Sequence, residues 1–242
     1  MITQLKAGIR KLADPKKAEI LQRFFKTGKG EYGEGDKFLG LMVPVQRKLV
    51  KKYWQSLKLK DIDRLLKSPI HEERLIALLI LVKLFSAPKI LLHYCTSTLK
   101  QKAIFNFYLK HAKYINNWDL VDLTAPKIVG AFLRKKNKAI LYRLATSKNL
   151  WERRIAILAT FDFIYYGDAK DALQISKILM RDKHDLIHKA TGWMLREVGK
   201  RCSEKLLIEF LNRYHKQMPR TMLRYSIERL PQTLRLKYLK SA

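Results

Sequence analysis

Along most of the chain apolar residues return every three or four positions, as one face of a helix requires. Nowhere do they alternate residue by residue over the length of a strand. Three stretches show the period most plainly: HEERLIALLILVKLF (71–85), WERRIAILATFDFIYY (151–166) and DLIHKATGWMLREVGK (185–200). A helix is predicted over each. Start signals agree: Ser68-Pro69 reads as a cap with proline in the first turn, and Asn149 and Ser203 precede further helical runs. Pro219 opens a helix near the end, and Pro231 interrupts the pattern after it. The expected class is all-α.

The helices also repeat. A displacement of 79 residues superposes Ser68, Arg74 and Ala77 on Ser147, Arg153 and Ala156, and a further 35 superposes Arg154 on Lys189. The segment beginning near Asn116 falls between the first two copies. Intervals of roughly 35 to 45 residues, each holding two helices, are the mark of HEAT-like repeats. One pair cannot bury its apolar face alone, so neighbours stack into a curved α-solenoid. No linker interrupts the pattern, and residues 1–242 are expected to form one such domain.

Charge narrows the partner. Against 50 Lys+Arg stand 21 Asp+Glu, a formal net charge of +29, on a chain that is 48% hydrophobic and can bury a sizeable core. Nucleic acid is the first polyanion to consider, an anionic membrane surface the second and a ribosome the third, although no basic tail is present. The opening MITQLKAGIRKLADPKK lacks the apolar core of a signal peptide, and the longest apolar run, LIALLILV (75–82), is too short to cross a bilayer. Two cysteines, Cys95 and Cys202, without CxxC or Cys/His ligand spacing, argue against disulfides and structural zinc. The expectation is a soluble, cytoplasmic, nucleoid-associated monomer with no metal or small-molecule cofactor.

One glycine-rich stretch, GKGEYGEGDKFLG (28–40), lacks P-loop spacing and a preceding strand. It reads as a flexible loop; the alternative is that its amides and Tyr32 approach a phosphate. The chemistry concentrates in NNWDLVDLTAP (116–126), where Trp118 and Asp122 stand four apart on one helical face. Core tryptophan beside solvated aspartate is the plain reading of that spacing. In a stack of repeats, however, Arg153, Arg154 and Lys189 fall in matching register as a positive stripe suited to a phosphate backbone. A carboxylate in such a groove weakens DNA binding. It gains a purpose where positive charge develops, as on the sugar when an N-glycosidic bond breaks. Asp122, placed near a helix start where the dipole favours ionisation, would stabilise that cation and orient water. Trp118 and Trp193 would offer π-faces to the sugar or a cationic base, and Arg154 would hold the adjacent phosphate.

At these residues the chain resembles the AlkD family of DNA alkylation repair glycosylases. The resemblance runs over almost the whole sequence and is most specific in FLGLMVPVQRKL (38–49), INNWDLVDLTAP (115–126), NLWERRIAIL (149–158), IHKATGWMLREVGK (187–200) and MPRTMLRYSIERLP (218–231). By that resemblance the catalytic carboxylate falls on Asp122, its aromatic partners on Trp118 and Trp193, and the phosphate-binding arginine on Arg154. It implies removal of cationic alkylpurines, chiefly 3-methyladenine and 7-methylguanine, from double-stranded DNA without base flipping. Arg47 and Arg224, with Arg220, are candidate backbone contacts. The competing readings are a non-catalytic DNA-binding protein for distorted or branched duplexes, and a scaffold for an acidic protein.

Overall fold

The computed structural model describes residues 1–87 and 97–241. Cys95 lies outside the described residues. Within them the secondary structure is helical, and an isolated backbone bridge between Lys37 and Ile70 is the nearest approach to a strand. No described helix is long and apolar enough to cross a membrane. Contacts group the chain into two compact units, Met1–Thr124 and Ala125–Ala242.

The first unit contains α1 (Ile2–Lys11), α2 (Pro15–Phe24), α3 (Val43–Tyr53), α4 (Leu59–Leu66), α5 (His71–Ser86), α6 (Ser97–Lys110) and α7 (Trp118–Asp122). Helix α5 is its axis, packing against α3, α4, α6 and α7. Leu75, Ile76, Leu78 and Ile80 are all buried there, each stabilising the fold by roughly 1.5–3 kcal/mol through removal from water. The predicted bounds of this helix hold at both ends, but its start differs in mechanism. Ser68-Pro69 lies before the helix, where the Ser68 hydroxyl accepts from the Ile70 amide (3.1 Å). The cap position itself is Ile70.

The second unit contains α8 (Ala131–Leu133), α9 (Ala139–Ala145), α10 (Leu150–Tyr165), α11 (Lys170–Leu179), α12 (Asp185–Arg201), α13 (Glu204–Tyr214), α14 (Arg220–Ser226) and α15 (Gln232–Lys240). Helices α10, α12 and α14 pack in succession, with α9 against α10, α11 against α10 and α12, and α13 against α12. Their first residues, Leu150, Asp185 and Arg220, recur every 35 residues, the offset already visible in the sequence. Asn149 and Ser203 cap as expected, accepting from the Trp151 and Leu206 amides. The close approach of α12 to α14 depends on Gly192, where an added Cβ would stand 2.5 Å from the Met222 carbonyl oxygen.

Candidate nucleic-acid site

The WDLVD segment forms the single turn of α7. Its entry is fixed by buried Asn117, whose Oδ1 accepts from the Trp118 amide (2.8 Å). Trp118 is half-buried and stacks on Phe25 with ring centroids 5.0 Å apart and planes 11° from parallel, while Phe24 meets it edge-on. Phe25 stacks in turn on Phe38, and Phe38 on His71, at 4.9 and 4.4 Å. Asp122, four residues after Trp118, is also half-buried. It ends the five-residue helix instead of starting it. The expected help from a helix N-terminus therefore does not apply to Asp122. Its charge is felt by the fully buried Tyr108, whose hydroxyl is pushed well above its ordinary value by burial first and by Asp122 second, against a lowering contribution from Thr124. Tyr108 shares a hydrogen bond with the Thr124 hydroxyl (2.9 Å).

Behind Trp118 lies a buried ionic network. His71 Nε2 donates to Asp119 (2.9 Å) and Nδ1 to Asp36 (3.0 Å). Asp36 also accepts from Arg74 Nη2 (2.6 Å) and from Asn117 Nδ2 (3.3 Å). Burial opposes a charge on His71, but the Asp119 carboxylate and the hydrogen bonds to both aspartates prevail over burial and Arg74, and its pKa is pushed up to about 9. Burial also opposes the charge on Asp36, but His71, Arg74 and the hydrogen bond from Asn117 outweigh it and hold its carboxyl below the ordinary value. Next along α5, Glu72 accepts from the amides of Leu39, Gly40 and Leu41, and Glu73 pairs with Lys6 (2.8 Å). Four consecutive ionisable residues, 71–74, are thus buried and partnered.

This network anchors the end of the glycine-rich stretch. Its earlier amides are taken by the stretch's own carboxylates: Gly28 N–H donates to Glu31 (2.8 Å) and Gly30 N–H to Glu34 (2.9 Å). Those two amides are therefore turned to internal acceptors, which speaks against the alternative in which the stretch's amides approach a phosphate. Tyr32 is half-buried within it.

In the second unit Arg153 turns out to be a structural clamp. Its Nε donates to Asp182 (2.5 Å) and its Nη1 to the carbonyls of Ser147 (2.9 Å) and Lys148 (3.0 Å). Arg74 does the same in the first unit, with Nη1 on the Ser68 carbonyl (2.9 Å) and Nη2 on Asp36. The shared register of these arginines therefore encodes a repeated brace of the segment before a helix, and Arg153 leaves the expected phosphate stripe. Arg154 is only 5% exposed and donates from Nη1 to the Leu186 carbonyl (2.5 Å), joining α10 to the first turn of α12. Lys189 pairs with Asp185 along α12 (2.7 Å), both well exposed. Trp193 is half-buried, lies against Phe161 (6.0 Å) and donates from Nε1 to Glu197 (3.3 Å). Trp151 is buried in the core. Arg47 on α3 and Arg224 on α14 are exposed; Arg220 donates to the Leu239 carbonyl (2.7 Å), closing α15 onto the unit.

The sequence matches the family model described as DNA alkylation repair enzyme over residues 5–230. The chain belongs to the DNA alkylation repair enzyme family. It also shares its fold with a solved structure titled as a predicted DNA alkylation repair enzyme from Enterococcus faecalis, at a TM-score of 0.66 and 15% identity, covering 91% of this chain and 97% of that one. No curated protein matches it. As a member of this DNA repair family the chain carries three residues in its WDLVD region that sequence reasoning passed over: Asp36, His71 and Asp119. The signal for them was a His-Glu-Glu-Arg run opening the most apolar helix, since charges there need buried partners. Among the described residues no three His, Cys, Asp or Glu side chains are arranged to hold a metal ion.

Proposed function

We propose that the chain is a monofunctional DNA glycosylase. It hydrolyses the N-glycosidic bond of positively charged alkylpurines, 3-methyladenine and 7-methylguanine, in duplex DNA, without flipping the base and as a monomer. The observation that carries this reading is the pairing of Trp118 with Asp122 on one braced turn in a chain of the DNA alkylation repair family. The Asp122 carboxylate faces the sugar as it acquires oxocarbenium character and orients the attacking water. A base that already bears a positive charge leaves without a proton donor. Trp118 and Trp193 offer π-faces to the cationic partner. Arg154 supplies donors to the neighbouring phosphate, and Lys189, Arg47 and Arg224 add charge along the backbone. Lys189 pairs with Asp185 along α12, and an exposed i,i+4 pair of that kind is worth less than about 1 kcal/mol, little to set against a charge-assisted contact with phosphate.

The test is release of 7-methylguanine from methylated duplex DNA by the purified protein and by Asp122→Asn. The wild type should release base, and the variant should lose release while still binding duplex. Binding without release by the wild type would favour a non-catalytic reader of distorted or branched DNA. Equal release by Asp122→Asn would remove that residue from the mechanism.

A further inference from the structure

A cavity of about 150 Å³ opens in the first unit beside the aromatic column. Its walls are apolar, built from Phe24, Phe25, Phe38, Leu41 and Met42 among others, and its polar lining is Gln46, His71, Glu72 and Asp119. Phe24, 61% exposed, and Met42, 49% exposed, form the open rim. Phe25 gives one aromatic neighbour to the cavity and stacks on Trp118, so the cavity and the proposed reaction site share a ring.

Two observations say what it would take. Gln46 is 2% exposed and its Nε2 donates to the Leu41 carbonyl (2.7 Å), but its buried Oε1 has no hydrogen-bond partner among the described residues. A buried acceptor left unpaired is costly, and a ligand N–H would recover that cost. The second is charge. In a chain of net charge +29, this lining holds two carboxylates, Glu72 and Asp119, against the one imidazolium of His71. A phosphate is disfavoured there, and a neutral or cationic group is not. Aromatic walls suit a planar ring, and an apolar cavity of about 150 Å³ accepts a benzene-sized ring. The open rim leaves room for a fused second ring to protrude.

We infer that this cavity binds a free purine base, neutral or cationic, through ring stacking and an N–H donated to Gln46 Oε1. Choosing a base among planar N–H heterocycles rests on the repair reading above: the cavity would hold the alkylpurine after the glycosidic bond has broken. It is a product subsite that needs no flipped nucleotide.

Calorimetric titration of the full chain, without DNA, tests it with 3-methyladenine, adenine, 9-methylpurine and deoxyadenosine monophosphate. The two free bases should bind. 9-Methylpurine, which lacks any N–H, should bind about tenfold more weakly, the worth of one neutral hydrogen bond, and the phosphate-bearing nucleotide should not compete. Leu21→Trp, which fills the cavity from α2, should abolish binding of both bases, and Gln46→Met should erase the preference for adenine over 9-methylpurine. Failure of either free base to bind, equal binding of 9-methylpurine, or undiminished binding by a folded Leu21→Trp would each overturn the assignment. Measured alongside base release from DNA, the outcomes separate. Release without free-base binding sinks the cavity and leaves the glycosylase, whereas binding without release does the reverse.

Discussion

Deprotonating His71 should cost the first unit about 3 kcal/mol. Its imidazolium is sandwiched between Asp36 and Asp119, with Arg74 the opposing cation, and its pKa stands at about 9 against an ordinary 6.5. The rise from 6.5 to about 9, at about 1.36 kcal/mol for each tenfold change in proton affinity, gives that figure. The sign follows from a raised folded-state value. The stabilisation is present in full below pH 6.5 and disappears as the pH rises through about 9. Lysines also titrate near the top of that range and change the self-repulsion of a +29 chain, so the wild type alone is not diagnostic. The useful quantity is the gap in urea-unfolding free energy between wild type and His71→Gln, measured at pH 6 and at pH 10. That gap should shrink by about 3 kcal/mol across the interval, and the His71 ring protons should titrate with a midpoint near 9 by NMR. A gap independent of pH, or a midpoint near 6.5, would show that the buried imidazole is not held as a cation and would refute the ionic account of this network.

Other outcomes follow from single contacts. Gly40→Ala should lower the urea midpoint by the equivalent of at least about 2 kcal/mol: φ is +88° there and a Cβ would stand 2.2 Å from the Asp14 carbonyl oxygen. Arg153→Ala should cost about 3 kcal/mol, because Asp182, almost wholly buried, would lose its cation; affinity for duplex DNA, by fluorescence anisotropy, should stay within about twofold of wild type once the variant is folded. Arg154→Ala should instead weaken duplex binding or base release by about tenfold or more, as expected for a charge-assisted bond to phosphate, and an unaffected variant would defeat its proposed role. The log of the duplex binding constant should fall linearly with the log of salt concentration, and a flat response would rule out a phosphate-tracking mode.

The helices were legible because their signal is local. Apolar spacing located α5, α10 and α12 within a residue or two, and the 35-residue offset reappears in the starts of α10, α12 and α14. What a charged residue does inside a helix was not legible in the same way. The 79-residue register correctly paired Arg74 with Arg153, yet their acceptors, Asp36 and Asp182, lie 38 and 29 residues away in opposite chain directions. Nothing in a local pattern distinguishes an arginine aimed at solvent from one braced on such a partner. The hydrogen bonding of the glycine-rich loop was hidden for a related reason. Its glycines suggested freedom, whereas carboxylates three, four and thirty-odd residues away capture its amides. Asp122 reads from the sequence as lying near a helix start. Instead the helix ends at that residue, and the chain turns toward the π-helical segment at Pro126–Gly130.

That short helix explains the buried charges. Five residues cannot sustain a helix on their own, since nucleation is unfavourable and too few hydrogen bonds follow to offset it. The turn that carries Trp118 and Asp122 is therefore fixed from outside. Asn117 caps it and is itself held by Asp36, Asp119 binds His71, and Trp118 is stacked on Phe25. All three restraints lead back to the first turn of α5, the most thoroughly buried helix of the unit. A side chain positioned by a charged hydrogen bond and a ring stack loses little further freedom on meeting a ligand, which is what preorganised electrostatic stabilisation demands. Burying an Asp–His–Asp chain for stability alone would be a poor arrangement, because an apolar cluster of equal volume does as well or better. Fixing the direction of the Trp118 ring and the entry of the turn that carries Asp122 is a task that apolar packing performs less well, and on the proposed function it is what the buried charges are for.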